Sequence, residues 1–227
     1  MNNKYLKTIW ALFKKELMSY FNSPIAYIFI AVFLVVGNWL FFYSFFVSQQ
    51  ASMRNYFNLL PWIFLFLSPA LTMRLWSEEK RSGTIEFLLT LPITDWQAVL
   101  GKFLGSLAFL TISLLFTLTI PITIMSLGNV DLGPIIGGYL GSILMGAVYL
   151  SLGGFISSLT KNQIIAFIGA VVIAFIFFIW SFATWTSKGL SYPPNFLLTS
   201  ILIFVLLLSI SVRWMSMYTP NDKNSVF

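Results

Sequence analysis

Arg74-Leu-Trp-Ser-Glu-Glu-Lys-Arg-Ser-Gly-Thr-Ile-Glu-Phe-Leu-Leu-Thr-Leu-Pro92 is the one dense cluster of charge in a chain whose other long stretches are apolar. Lipid-soluble runs flank it on both sides, so it reads as a polar connection between two membrane spans. After Gly83 the pattern turns helical, with Ile85, Leu88 and Leu89 at i, i+3 and i+4 on one face. Glu86 falls in the first turn, where a carboxylate suits the positive end of the helix dipole. Pro92 lacks an N–H and pushes the residue before it out of the α region, which predicts a stop near Leu91. A short helix over residues 84–91 with one apolar face needs something to cover that face, lipid or protein. The bland alternative is a solvated loop whose charges only fix topology.

Working outward, hydrophobic residues make up 58% of the 227 and charged residues 9%, the composition of an integral membrane protein. At ~20 residues per span, the apolar runs predict an all-α bundle of six spans at about residues 25–47, 56–75, 103–127, 135–159, 164–185 and 196–212. The chain reads as a single membrane domain. Residues 4–21 predict an amphipathic helix in the headgroup plane: Leu6, Ile9, Trp10, Phe13, Leu17, Tyr20 and Phe21 share one arc. Lys4, Lys7, Lys14 and Lys15 fill the rest, and Leu12 sits awkwardly among them. The alternative for this segment is a flank that only orients the first span. No short apolar core ending in a small-residue cleavage site follows the basic N-terminus, so no cleavable signal is expected.

Within the spans, Asn38 predicts an interhelical hydrogen bond, and Pro61 and Pro69 predict bends in the second span. Gly138, Ser142 and Gly146 recur every four residues in the fourth span, a small-residue face that lets another helix approach closely. If the N-terminus is cytoplasmic and six spans alternate, Lys4, Lys7, Lys14, Lys15, Arg74, Lys80, Arg81, Lys102, Lys161, Arg213 and Lys223 fall inside. Only Arg54 and Lys188 fall outside, a split of 11 to 2 among the 13 basic residues. That asymmetry predicts both termini in the cytoplasm. It also accounts for the net charge of +6, so no nucleic-acid partner is implied.

The chemistry that is missing narrows the function. The chain has no Cys and no His, which removes disulfides, thiol chemistry and the commonest acid/base group and metal ligand; no catalytic or metal site is expected. All seven acidic residues lie in predicted loops, surface helices or the tail. A proton- or sodium-coupled transporter generally places such groups at mid-membrane depth. No glycine-rich phosphate loop followed by Lys and Ser/Thr is present, so the chain is not expected to bind ATP that way. Energy must come from something docked on the polar loop.

Glu78-Glu-Lys-Arg-Ser-Gly-Thr84, followed by apolar 85–91 and Pro92, resembles the cytoplasmic loop of bacterial ABC transporter permeases of the type-2 exporter class. The resemblance is nearest to gliding-motility-associated and copper-processing (nitrous oxide reductase maturation) permeases. Weaker support comes from Glu16 with Ser23-Pro-Ile-Ala-Tyr27, from Gly101-Lys102, and from Ser157-Ser-Leu-Thr-Lys-Asn-Gln163; together the likeness covers roughly residues 12–183. It implies that Glu78, Glu79, Lys80, Arg81, Ser82, Gly83, Thr84, Ile85, Glu86, Leu88 and Leu89 dock on a separate ATP-binding subunit, with Ile85 and Leu88 in its groove. It further implies an ATP-driven exporter in the bacterial inner membrane, built from two permease copies or this chain and a homologue. ATP would be bound by the partner, and the translocation path would run along the second and fifth spans. A non-transport anchor or mechanotransmission subunit moved by an ATPase is the alternative. One departure stands out: only Thr186–Asn195 separates the fifth and sixth spans, where related permeases have a longer external segment.

Overall fold

The computed structural model describes residues 3–48, 52–127 and 131–187, together with Leu206, Ser209, Ile210 and Arg213. Nine α-helices and no strands are found among them: α1 Asn3–Phe21, α2 Pro24–Ser48, α3 Arg54–Thr72, α4 Ser77–Ser82, α5 Thr84–Thr90, α6 Asp95–Phe116, α7 Thr119–Leu127, α8 Leu132–Leu159 and α9 Gln163–Ser187. Among the described residues, five stretches are long and apolar enough to cross a membrane: Ala26–Val47, Arg54–Ser82, Asp95–Ser126, Leu132–Leu159 and Gln163–Trp180. The expected sixth span at 196–212, most of the segment before it and the tail lie outside the described residues.

Helix α3 is the axis of the bundle, packed against α2, α8 and α9. Its inward residues Tyr56, Leu60, Phe64 and Leu65 are almost fully buried, as are Phe33 and Phe41 of α2, Phe109 and Leu110 of α6 and Leu150 of α8. Aromatic rings carry much of this core, with Phe33 stacked near Phe64 at 6.3 Å and Tyr20 on Phe109 at 5.0 Å. Neither proline of α3 ends it; the helix runs through Pro61 and Pro69 and stops at Thr72. Thr72 donates its hydroxyl to the Ser68 carbonyl at 3.0 Å, one of several hydroxyl bonds that return to a helix's own backbone in the apolar interior.

Three sequence expectations change. Among the described residues Asn38 bonds within its own helix: its Nδ2 donates to the Leu34 carbonyl at 2.7 Å. The third span is neither a single helix nor one that begins at residue 103. It starts at Asp95, where the Thr94 backbone N–H donates to Gln97 Oε1 at 2.8 Å, and breaks after Phe116 before resuming as α7. At the break, Thr117 donates to the Leu114 carbonyl at 2.6 Å and lies 3.0 Å from the Tyr139 hydroxyl of α8. That hydroxyl also donates to the Thr117 carbonyl at 3.2 Å, beside the Ile120 N–H at 3.0 Å; Pro121, four residues on, has no N–H to offer it.

The apolar arc of α1 is also divided in two. One side packs on α6, where glycines permit the approach: a Cβ at Gly101 would stand 2.6 Å from Leu12 Cβ, and one at Gly105 would stand 2.7 Å from Glu16 Cβ. Leu12, out of place on the lysine face by periodicity, fills that notch. Tyr20 closes the end of the contact by donating to the Leu71 carbonyl of α3 at 3.1 Å.

The small-residue face of α8 looks at α3 and α6. A Cβ on Gly138 would overlap the Phe57 ring, and one on Gly146 would lie 2.9 Å from Leu110. Ser142 is buried and donates to the Gly138 carbonyl at 2.7 Å. Gly138→Leu should lower the stability of the detergent-purified chain by about 1–3 kcal/mol, the range for an overpacked core. An unchanged thermal midpoint for that variant would mean that Phe57 moves aside freely.

Candidate docking loop and its buried lysine anchor

The polar loop folds as two short helices that follow α3. Ser77–Ser82 forms α4, with Glu78 and Glu79 in its first turn and Lys80 and Arg81 in its last, the charge order that suits the helix dipole. Gly83 ends it at φ 73°, the left-handed region where glycine has no Cβ penalty. Helix α5 then runs to Thr90, and Leu91 turns extended (φ −67°, ψ 147°) ahead of Pro92.

The loop is fastened to the bundle at its base. The turn between α3 and α4 leaves backbone groups in a buried setting, where they must find partners. Ser157 of α8 supplies them: its hydroxyl accepts from the N–H groups of Trp76 and Ser77 at 3.1 and 3.2 Å and donates to the Met73 carbonyl at 3.1 Å. Lys80 donates to the carbonyl of Ser158. Arg74 donates to the Ser23 hydroxyl at 3.3 Å, holding the end of α3 to the α1–α2 turn.

The strongest fastening is Lys102 of α6, which is 6% exposed. Its ammonium donates to the Leu75 carbonyl and to Glu79 Oε1, both at 2.8 Å, and lies 3.7 Å from Glu16 Oε2 of α1. The Trp76 ring faces it with the centroid 4.7 Å away, a cation–π contact. One lysine thus joins α1, the α3–α4 turn, α4 and α6. Burial pushes the Glu16 carboxyl above its usual range, against the pull of Lys102; the nearby Glu79 carboxylate adds to the rise. Two carboxylates around one ammonium leave the second Glu79 oxygen buried without a partner.

This geometry redistributes the residues singled out in the sequence. Glu79 and Lys80 bond inward. Leu88, expected on the face offered to a partner, is 6% exposed and belongs to the chain's own core. Ile85 is half-buried, and the side chain of Leu89 lies outside the described residues. Glu78, Arg81, Ser82, Gly83, Thr84 and Glu86 remain on the surface. Among the described side chains of α5, the large apolar one presented outward is Phe87, 70% exposed. Periodicity missed it because the stripe of Ile85, Leu88 and Leu89 identifies a buried face without saying whose core buries it.

In the sequence Lys102 is legible as a basic residue at a span boundary and, with Gly101, as part of a weak likeness; Ser157 is legible only as part of that likeness. Among the described residues, no group of His, Cys, Asp or Glu could hold a metal ion.

No curated protein matches the chain. The family model for ABC-2 family transporter proteins matches residues 10–218, nearly the whole sequence. That stretch contains the five apolar helices, the two-helix loop and the lysine that anchors it. The chain belongs to the ABC-2 transporter family and is a multi-pass membrane subunit of an ABC transporter.

Proposed function

We propose that this protein is the permease subunit of an ATP-driven exporter, and that α4–α5 is the surface on which the ATP-binding subunit docks. The observation that carries this reading is the contrast within the loop: its base is bonded to the bundle, while Phe87 stands exposed at its tip. An aromatic side chain left open on a polar cytoplasmic loop is suited to fill a pocket on a partner, with the exposed Glu78, Arg81 and Glu86 around it. Movement of the partner would press on α5. Bonds from Glu79 to Lys102, from Lys80 to the Ser158 carbonyl and from the α3–α4 turn to Ser157 would pass that force to α6 and α8. Glu16 would carry it on to α1.

The 11-to-2 distribution of basic residues supports cytoplasmic termini in a bacterial inner membrane. In this reading, residues 196–212 supply a sixth span and α1 lies at the inner membrane surface. Two permease copies, or this chain and a homologue, pair around the translocation path. The second and fifth spans are α3 and α9; Trp62 lies 4.5 Å from Phe178, and both Trp62 and Phe66 are exposed on that side. An aromatic wall of this kind suits an apolar or amphipathic substrate. The loop motif resembles gliding-motility-associated and copper-processing permeases, and an ATPase subunit of the kind found beside them is the expected partner.

Phe87→Asp tests the docking surface. Burying a large apolar side chain is worth roughly 1.5–3 kcal/mol, and an aspartate would add a charge stranded in the pocket. The variant should insert and melt like the parent but fail to co-purify with the ATP-binding subunit. Arg81→Glu should weaken recovery less, since exposed ion pairs are typically worth under ~1 kcal/mol. Full recovery of the partner with Phe87→Asp would place the docking surface elsewhere.

A further inference from the structure

Helix α1 has a second face that the bundle leaves uncovered. Its inner side is taken by the contacts of Leu12 with Gly101 and of Glu16 with Gly105 and Lys102. Leu6, Lys7, Trp10, Lys14 and Met18 are among the residues turned away, all exposed; at ~100° per residue they form one continuous arc. Trp10 is 65% exposed and held flat against Phe13, with ring centroids 5.0 Å apart. The ion pairs found among the described residues both use Lys102, and neither Lys7 nor Lys14 takes part. A fixed indole beside two cations that no carboxylate of these residues claims is a poor design for a solvated face. It is a good one for the boundary between headgroups and acyl chains.

We propose that this face binds anionic phospholipid of the inner leaflet, with Lys7 and Lys14 on the headgroup and Trp10 seated between headgroups and chains. The choice of an anionic lipid follows from charge. A zwitterionic headgroup carries its own cation and offers two lysines no net attraction, whereas a headgroup with an unbalanced phosphate does. Juxtamembrane lysines gain about 1 kcal/mol each near such a surface, roughly fivefold per residue in affinity. Because the opposite side of the same helix carries Glu16, lipid held by α1 steadies one partner of the Lys102 anchor. The inference rests on the reading of α1 as a membrane-surface helix, and it adds the lipid class and the residues that select it.

The absence of cysteine allows Ala11→Cys, on the exposed side of α1, to carry a single environment-sensitive fluorophore on the full chain. In phosphatidylcholine vesicles, quenching of that probe by a lipid spin-labelled near its headgroup reports whether α1 lies at the surface, whatever the headgroup charge. The labelled chain in neutral detergent is then titrated with phosphatidylglycerol, phosphatidylcholine or inorganic phosphate. Phosphatidylglycerol should saturate the signal at concentrations about 25-fold lower for the parent than for Lys7→Gln/Lys14→Gln, the product of two fivefold steps. Phosphatidylcholine should not distinguish the two proteins, and free phosphate should do nothing. Lys7→Arg/Lys14→Arg should titrate like the parent, and equal thermal midpoints of all variants in neutral detergent exclude misfolding. No quenching in vesicles would overturn the surface reading and this proposal with it. Quenching with equal response to the two lipids, or an unaltered glutamine variant, would overturn the lipid preference alone. A response to free phosphate would reassign the lysines to soluble anions.

Discussion

Lys102→Met is expected to cause the largest single loss of stability in this protein. Methionine keeps most of the length and apolar volume of the lysine stem but removes the ammonium. Glu79 loses its bond at 2.8 Å, Glu16 loses its counter-charge at 3.7 Å, and the Leu75 carbonyl loses its donor. Removing one partner of a buried ion pair costs about 3–5 kcal/mol, because the charge left behind is uncompensated. The side chains of Glu79 and Glu16 keep 20% and 17% of their exposure, which places the cost toward the lower end of that range. Thermal unfolding of the detergent-purified chain is the measurement. Adding Glu16→Gln and Glu79→Gln to Lys102→Met should restore much of the loss, since no charge is then stranded. A Lys102→Met protein as stable as the parent would show that the anchor contributes nothing.

Leu88→Asp is expected to be nearly as damaging, for a reason opposite to the one the sequence suggests. The apolar stripe of Ile85 and Leu88 reads as a face awaiting a partner. In the structure Leu88 is 6% exposed and part of the chain's own core. Aspartate there forfeits roughly 1.5–3 kcal/mol of apolar burial and buries a carboxylate for which no partner is in place. Folded yield should therefore fall even in cells that make no ATP-binding subunit. Phe87→Asp, one residue away, should leave that yield unchanged and act only on the complex. Comparable destabilisation at the two positions would mean that α5 does not sit with Leu88 inward.

These adjacent residues show how far the sequence could be read. Existence and type of the elements follow from local rules. Runs of some 20 apolar residues can satisfy their backbone in lipid only as helices; Gly83 and Pro92 punctuate α5 at both ends. Helix α4, by contrast, is not marked in the sequence, because six charged and polar residues give no periodic apolar signal. The break after Phe116 has a cause in the sequence: Pro121 lacks the N–H that would bond the Thr117 carbonyl four residues back. What the sequence does not show is the extra partner, the Tyr139 hydroxyl, 22 residues away.

By itself, then, the sequence determined a multi-pass helical protein, a charged loop ending in a short helix after the second span and a chain without cysteine or histidine. Those properties depend on composition, on spacing and on solvation of the backbone, all of which act over a few residues. Only the tertiary structure decided which charges are available. Glu79 and Lys102 are 23 positions apart and Glu16 lies farther still, yet the folded chain brings all three together in a place where water is scarce. Leu12 was decided in the same way, since its place on the lysine face makes sense only against Gly101 of α6. Burial is a property of what lies opposite a side chain, and a one-dimensional pattern records only what lies beside it.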